Sequence, residues 1–299
     1  MVNHYYALAS VQKVQKTRDP GREEIGWPDS CPSCGRGMRL GMIDGPVDCQ
    51  SPALAGQWIE RRFFFNRKDT AKMNTGHGTA IAALMIGRGA TYTGLLPGAH
   101  LHAAAAFTGT SADTARGTAL SVVRALDWLV SRRVMVINAS FTGPDNLLVR
   151  QAMQKTARKN ILVVAAAGNH GPDGPPLFPA AYDEVIAVTA VDRFQHPYSR
   201  ANRGDYIDLA APGVRVPVPC AGGDNEICYR SGTSFAAPYC TAVAVALAKG
   251  GGTDRGTGGI RGVRNLLEKT ALDLGAPGRD PIFGAGLVRC GRLCRKQLR

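Results

Sequence analysis

Along residues 39 to 248, short apolar runs alternate with longer segments of mixed polarity. RLGMI (39–43), LHAAAAF (101–107), VMVIN (134–138) and ILVVAAA (161–167) are continuously apolar and too short for typical helices, as expected of strands buried on both faces. EVIAVTAV (184–191) and YIDLAAPG (206–213) read the same way. Between them, the segment after Gly78 and the stretches Ala112 to Arg132 and Leu147 to Lys159 read as helices, and the apolar segment Tyr239 to Ala248 continues a helix that begins near Ser234. Strand and helix in alternation predict right-handed crossovers on a mainly parallel sheet, an α/β fold. The first 38 residues lack a period and are punctuated by Pro20, Gly21, Pro28 and Pro32, so they read as a surface extension. Glycines 250–252 with Gly256, Gly258 and Gly259 mark a flexible loop before a last helix around Arg261 to Leu272. The organisation expected is an N-terminal extension (1–38), one domain (39–288) and a basic C-terminal tail (289–299), without internal repeats.

A chain of 299 residues can bury one full core. No apolar run approaches the roughly 18 residues of a membrane span, and Met1 to Gln12 lacks the basic-then-apolar order of a signal peptide. The formal charge of +13 admits acidic partners. Its clusters (Arg61, Arg62, Arg67, Lys68, Lys72; Arg289, Arg292, Arg295, Lys296, Arg299) have no interleaved aromatics or nucleic-acid motif, so they read as solvated surface, with no specific nucleic-acid partner. Eight cysteines favour disulfides and an oxidising, secreted or periplasmic compartment, against which the invisible signal peptide counts. Cys220 and Cys228 bracket a short loop suited to a disulfide. Cys31 and Cys34, in CPSCG, would hold zinc only if Cys290 and Cys294 completed four thiolates, so disulfides or free thiols come first. Cys240 reads as a buried thiol.

In an open parallel sheet, reactive residues collect at the carboxyl ends of strands and the starts of helices. Asp44 ends RLGMI, His77 opens the next helical segment, Asn169 follows ILVVAAAG, and Ser234 sits in SGTSFAAP. A serine needs an imidazole to take its proton, and the imidazole needs a carboxylate to fix its tautomer. The tetrahedral intermediate needs donors, for which the Ser234 backbone N–H and the Asn169 amide are placed. Blander readings exist for each: a tight packing corner at SGTSFAAP, a helix-capping His77, and turn residues at Asn169 and Asp44, with Asp48 a rival carboxylate. Histidines 4, 100, 102, 170 and 196 show no partner in the sequence.

GMIDGPVD, NTGHGTAIAAL, VVAAAGNHG and SGTSFAAP, in this order, resemble the signature blocks of the subtilisin-like serine protease family (peptidase S8), and the similarity covers roughly residues 38 to 288. The resemblance implies a three-layer α/β/α fold with a mainly parallel central sheet, and a serine endopeptidase working through an acyl-enzyme on protein or peptide substrates. Asp44 would orient the base, His77 act as general base and acid, Ser234 as nucleophile, and Asn169 as oxyanion donor. The substrate strand would lie between Ser140, Phe141, Thr142 and Gly143 and the stretch after Ala106 near Phe107 to Thr110. Ala166, Ala167 and Gly168 would wall the main specificity pocket, with Leu177 and Phe178 near its floor. Gly45-Pro46 stands where the family usually has a hydroxyl residue then glycine, and Thr142 where it usually has glycine. IGRGATYTG lacks the family's calcium ligands, so no metal or other cofactor is expected, nor an oligomer. The rival readings are a specialised processing protease or peptide ligase on the same fold, and a weakly active fold used as a binding module.

Overall fold

In a computed structural model of the chain, the described residues are 17–29, 31–65, 73–111, 115–221, 226–249 and 259–292, with Cys294 and Leu298. His4, most of the glycine loop at 250–258, and the cluster members Arg67, Lys68, Lys72, Arg295, Lys296 and Arg299 lie outside them.

Seven strands form one parallel sheet in the order β2-β3-β1-β4-β5-β6-β7. They are β1 (Arg39–Asp44), β2 (Ile59–Phe63), β3 (His100–Ala105), β4 (Val136–Ala139), β5 (Leu162–Ala166), β6 (Val185–Val191) and β7 (Leu209–Pro212). A separate antiparallel hairpin joins β8 (Val216–Pro219) to β9 (Ile227–Arg230). The six strands other than β2 are almost wholly buried, as their unbroken apolar runs predict. The sequence pattern misses β2, because IERRF is an edge strand whose charges face solvent.

Helices α2 (Gly76–Ile86), α5 (Thr233–Leu247) and α6 (Gly259–Thr270) cover one face, and α3 (Ala119–Ser131) and α4 (Leu147–Arg158) the other. Alternate residues of one strand feed the two cores: Val136 and Val164 pack with α2 and α5, Ile137 and Val163 with α3 and α4. Helix α5 is apolar all round because it is buried all round, from Phe235 to Leu247. Each large side chain there, such as Val243 or Leu247, contributes about 1.5–3 kcal/mol by leaving water.

The N-terminal segment is no surface extension from residue 17 onward. It contains α1 (Pro20–Glu24), capped by Asp19, whose carboxylate also accepts the Tyr239 hydroxyl at 2.7 Å. Arg22 donates to the carbonyls of Pro28, Asp29, Thr93 and Gly94, and Ile25, Trp27 and Met38 are buried in the main core. Burial of these side chains outweighs the proline and glycine punctuation. The tail packs on this segment: the Cys290 amide donates to the Ile25 carbonyl, and Cys290, Cys294 and Leu298 are buried. The four candidate zinc thiols are instead two local disulfides, Cys31–Cys34 and Cys290–Cys294, and Cys220–Cys228 closes the β8–β9 hairpin. Cys240 is a buried free thiol, its pKa pushed up by burial.

Candidate active site

The strand order turns at β1, with β3 on one side and β4 on the other, so a crevice opens beyond its carboxyl end. Asp44 is the last residue of β1 and is 3% exposed, which lets its carboxylate act in a weakly screened setting. Its Oδ1 accepts from the Gly45 amide at 2.6 Å and faces His77 Nδ1 at 2.8 Å. Nδ1 therefore carries the proton, leaving the Nε2 lone pair open. Asp44 Oδ2 is buried without a partner among the described residues, as expected where Gly45-Pro46 replaces a hydroxyl residue. The rival Asp48 serves a turn, its Oδ1 accepting from the Gln50 amide. Gly78 lets α2 meet this loop, since a Cβ there would lie 2.6 Å from the carbonyl oxygens of Gly45 and Pro46.

Burial alone would push the His77 pKa down, but the charge and hydrogen bond of Asp44 together overcome it, so the net shift is upward; Arg230 opposes Asp44. The ring lies 5.5 Å, centroid to centroid, from Phe235, which follows Ser234.

Ser234 occupies the first turn of α5. Gly232 precedes the helix at φ +146°, a conformation for glycine, and a Cβ there would also press on the Asn169 amide at 3.2 Å. The Thr233 amide and hydroxyl both donate to Asn169 Oδ1, at 3.0 and 3.2 Å, and the Gly168 amide donates to the Thr233 hydroxyl. With Oδ1 held, Nδ2 is left without a partner among the described residues, as is the Ser234 backbone N–H. Two donors thus remain open at the start of a helix whose dipole favours negative charge. The Ser234 hydroxyl donates to the Ser140 carbonyl at 3.2 Å, and no hydrogen bond joins it to His77 in this state among the described residues. In turn the Ser140 hydroxyl donates to the Ser234 carbonyl at 2.8 Å.

Pro238 explains that second bond. It stands in the second turn of α5, not the first, and lacks the N–H that would reach the Ser234 carbonyl. Ser140 supplies the missing donor, itself held by Asn138 Nδ2, while Asn138 Oδ1 accepts from Thr241.

The expected substrate-binding residues divide. Ser140 is buried and turned toward Ser234. Ala166, Ala167 and Gly168 are buried at the carboxyl end of β5: the Ala167 amide and carbonyl bond to Val188 and Tyr206, and the Gly168 carbonyl accepts from Asn202. Phe141 and Thr142 are half-buried and carry no backbone hydrogen bond among the described residues, whereas Gly143 pairs in both directions with Phe178. Across from them Phe107 contacts Phe141 at 4.8 Å between ring centroids, and Thr108 pairs with Arg116.

A family profile described as the subtilase family, peptidase S8, matches residues 35–286. The chain belongs to the subtilase family. That is a family of serine-type endopeptidases, hydrolases of peptide bonds. This subtilase is similar to the minor extracellular protease Epr of Bacillus subtilis strain 168 (28% identical over 259 residues, 85% of this chain but 38% of that one). It is also similar to subtilisin DY of Bacillus licheniformis (31% over 261 residues, 85% and 89%). Among solved structures, the self-cleaved protease domain of PatA superposes with a TM-score of 0.72 at 27% identity, covering 89% of this chain and 98% of that one. The subtilase chain thus spans well under half the length of Epr and most of subtilisin DY. No helix among the described residues is long and apolar enough to cross a membrane.

Sequence reasoning overlooked the residues that hold the site: Thr233 on Asn169, Asn138 behind Ser140, and Asn202, whose Oδ1 accepts from the His170 amide and whose Nδ2 donates to the Pro175 carbonyl. A buried asparagine within an apolar run, as in VMVIN, was the available signal. Two histidines do have partners, His102 with Glu60 and His196 with Asp192.

Proposed function

We propose that this subtilase hydrolyses internal peptide bonds through an acyl-enzyme, with Ser234 as nucleophile, His77 as general base then acid, and Asp44 as the carboxylate that orients it. The supporting observation is the contact at 2.8 Å between the buried Asp44 and the partly exposed His77, beside a serine at a helix start with two open donors among the described residues. In the first step the Ser234 hydroxyl turns from the Ser140 carbonyl to His77 Nε2, which takes its proton as oxygen attacks the scissile carbonyl. The oxyanion accepts from the Ser234 N–H and Asn169 Nδ2. His77 then protonates the leaving amine, and water repeats the sequence on the ester. The peptide would pair with the open backbone of Phe141 and Thr142. The Phe107–Phe141 contact across that path favours a narrow, processing type of specificity over general digestion.

The test exposes the purified protein and its Ser234→Ala variant to a serine-directed fluorophosphonate and to casein. Labelling and cleavage that both vanish in the variant support the endopeptidase; labelling without casein cleavage supports the processing reading; a folded protein that is not labelled refutes the assignment of Ser234.

A further inference from the structure

At the end of the sheet away from Ser234, two concavities adjoin along the amino ends of five strands. One, of about 540 Å³, is lined by Arg39, Trp58, His100, His102, Arg132 and Arg133 among others. The second, of about 440 Å³, shares Arg133 and extends past Met135 to Lys159 and Ile161. Arg39 and His100 are the first residues of β1 and β3, and the end of α3 and the turn after α4 form the outer wall. Among the described residues, no carboxylate lines either concavity. The nearest acid, Glu60, is engaged: it takes both branches of Arg132 and pairs with His102, and the Arg132 bond first of all holds it below the usual carboxylate range. Arg39, Arg133 and Lys159 are exposed and make no ion pair among the described residues.

Ordinary structural reasons account for part of this. The carbonyl end of α4 favours a cation, which suffices for Lys159. Arg39 begins a strand and has no such reason. Arg133 is held at φ +51°, where glycine or asparagine is the low-strain choice. At the far end Trp58 is 46% exposed and stacks on His100 at 4.6 Å, giving an aromatic plate at the edge of the open, cation-lined surface.

We propose that this groove binds an acidic stretch of the polypeptide substrate, an exosite that rests on the peptidase reading above. Among the described residues, three cations outside any ion pair, spread over two adjoining concavities that no carboxylate lines, match carboxylates spaced along an extended chain. The six residues of β1 separate groove and crevice by about 20 Å. A substrate that fills both must therefore run roughly ten residues or more around the molecule. Long acidic substrates would gain affinity that short peptides cannot.

Binding is measured by anisotropy on Ser234→Ala protein with a fluorescein-labelled peptide of alternating glutamate and glycine, and by the emission of Trp58 against a Trp58→Phe control. The comparison is a triple variant, Arg39→Ser, Arg133→Asn, Lys159→Ser, in which asparagine suits the backbone at 133. The expected result is a loss of tenfold or more in affinity. In the active background a glutamate-rich extension lowers KM several-fold without changing kcat, and the triple variant loses that advantage while cleaving a short neutral peptide normally. Equal binding by both proteins overturns the exosite, as does displacement of the peptide by a single-stranded oligonucleotide that binds more tightly at the same residues. Absence of binding with intact cleavage counts against the groove alone. Intact binding in an active-background protein that cleaves nothing counts against the peptidase reading and not against the groove.

Discussion

Ser140 and Ser234 each donate a side-chain hydrogen bond to the other's backbone carbonyl, at 2.8 and 3.2 Å. Removing the Ser140 hydroxyl leaves the Ser234 carbonyl and the Asn138 amide short of partners in a buried setting. Ser140→Ala is therefore expected to lower stability by about 1–3 kcal/mol. Denaturant unfolding would read this as a lower midpoint at unchanged slope, and a midpoint equal to that of the parent protein would mean that another donor takes over.

Thr233 fixes which end of the Asn169 amide faces the crevice. Asn169→Leu should lower kcat by about 10²–10³ with little change in KM, the range found when one oxyanion donor is lost. Thr233→Val keeps the shape but loses the hydroxyl bonds to Asn169 and Gly168, so a smaller fall in kcat is expected, restored by Thr233→Ser. An equal effect on KM and kcat would argue that Thr233 acts on binding rather than on the amide.

His77 must be neutral to accept the serine proton. Because Asp44 holds its pKa above the ordinary 6.5, the acidic limb of kcat/KM should lie at higher pH than an ordinary histidine would give. The same shift stabilises the fold below the histidine's unfolded pKa, and that contribution is lost as pH rises through the folded value. Arg230 pulls the other way, so Arg230→Gln should move the limb further toward alkaline pH. A limb that stays in place in that variant would show that solvent screens Arg230 from the imidazole.

Most of this architecture was legible in the sequence because buried parallel strands write themselves as unbroken apolar runs: β5, β6 and β7 fall within the segments so read, and β1, β3 and β4 each overrun theirs by one residue. Asp44 and His77, read from their places at a strand end and a helix start, meet at 2.8 Å, and Asn169 meets Thr233, the residue before Ser234. The edge strand β2 and the β8–β9 hairpin were not legible, since these short strands are broken up by charge, proline and cysteine and show no apolar run. Nor was the N-terminal segment, whose attachment depends on Asp19 meeting Tyr239, a contact that no local pattern announces.

Asp44 Oδ2 has no donor among the described residues, yet Gly45 has room for a side chain, with the nearest atoms 3.9 Å from a Cβ. Gly45→Ser should bring a hydroxyl beside the carboxylate and steady the imidazole. The expected outcome is a rise of a few-fold in kcat at neutral pH, read with a short ester or peptide substrate. An unchanged kcat together with higher thermal stability would place the gain in the resting fold instead.

Pro238 cannot offer an amide hydrogen, and so position 140 must offer a hydroxyl. The two sites are therefore bound by epistasis across the sequence: Pro238→Ala would return the carbonyl of Ser234 to its own helix and make Ser140→Ala cheaper in that background than alone. Drift at one position licenses drift at the other, and a lineage that lost the proline would be free to lose the serine.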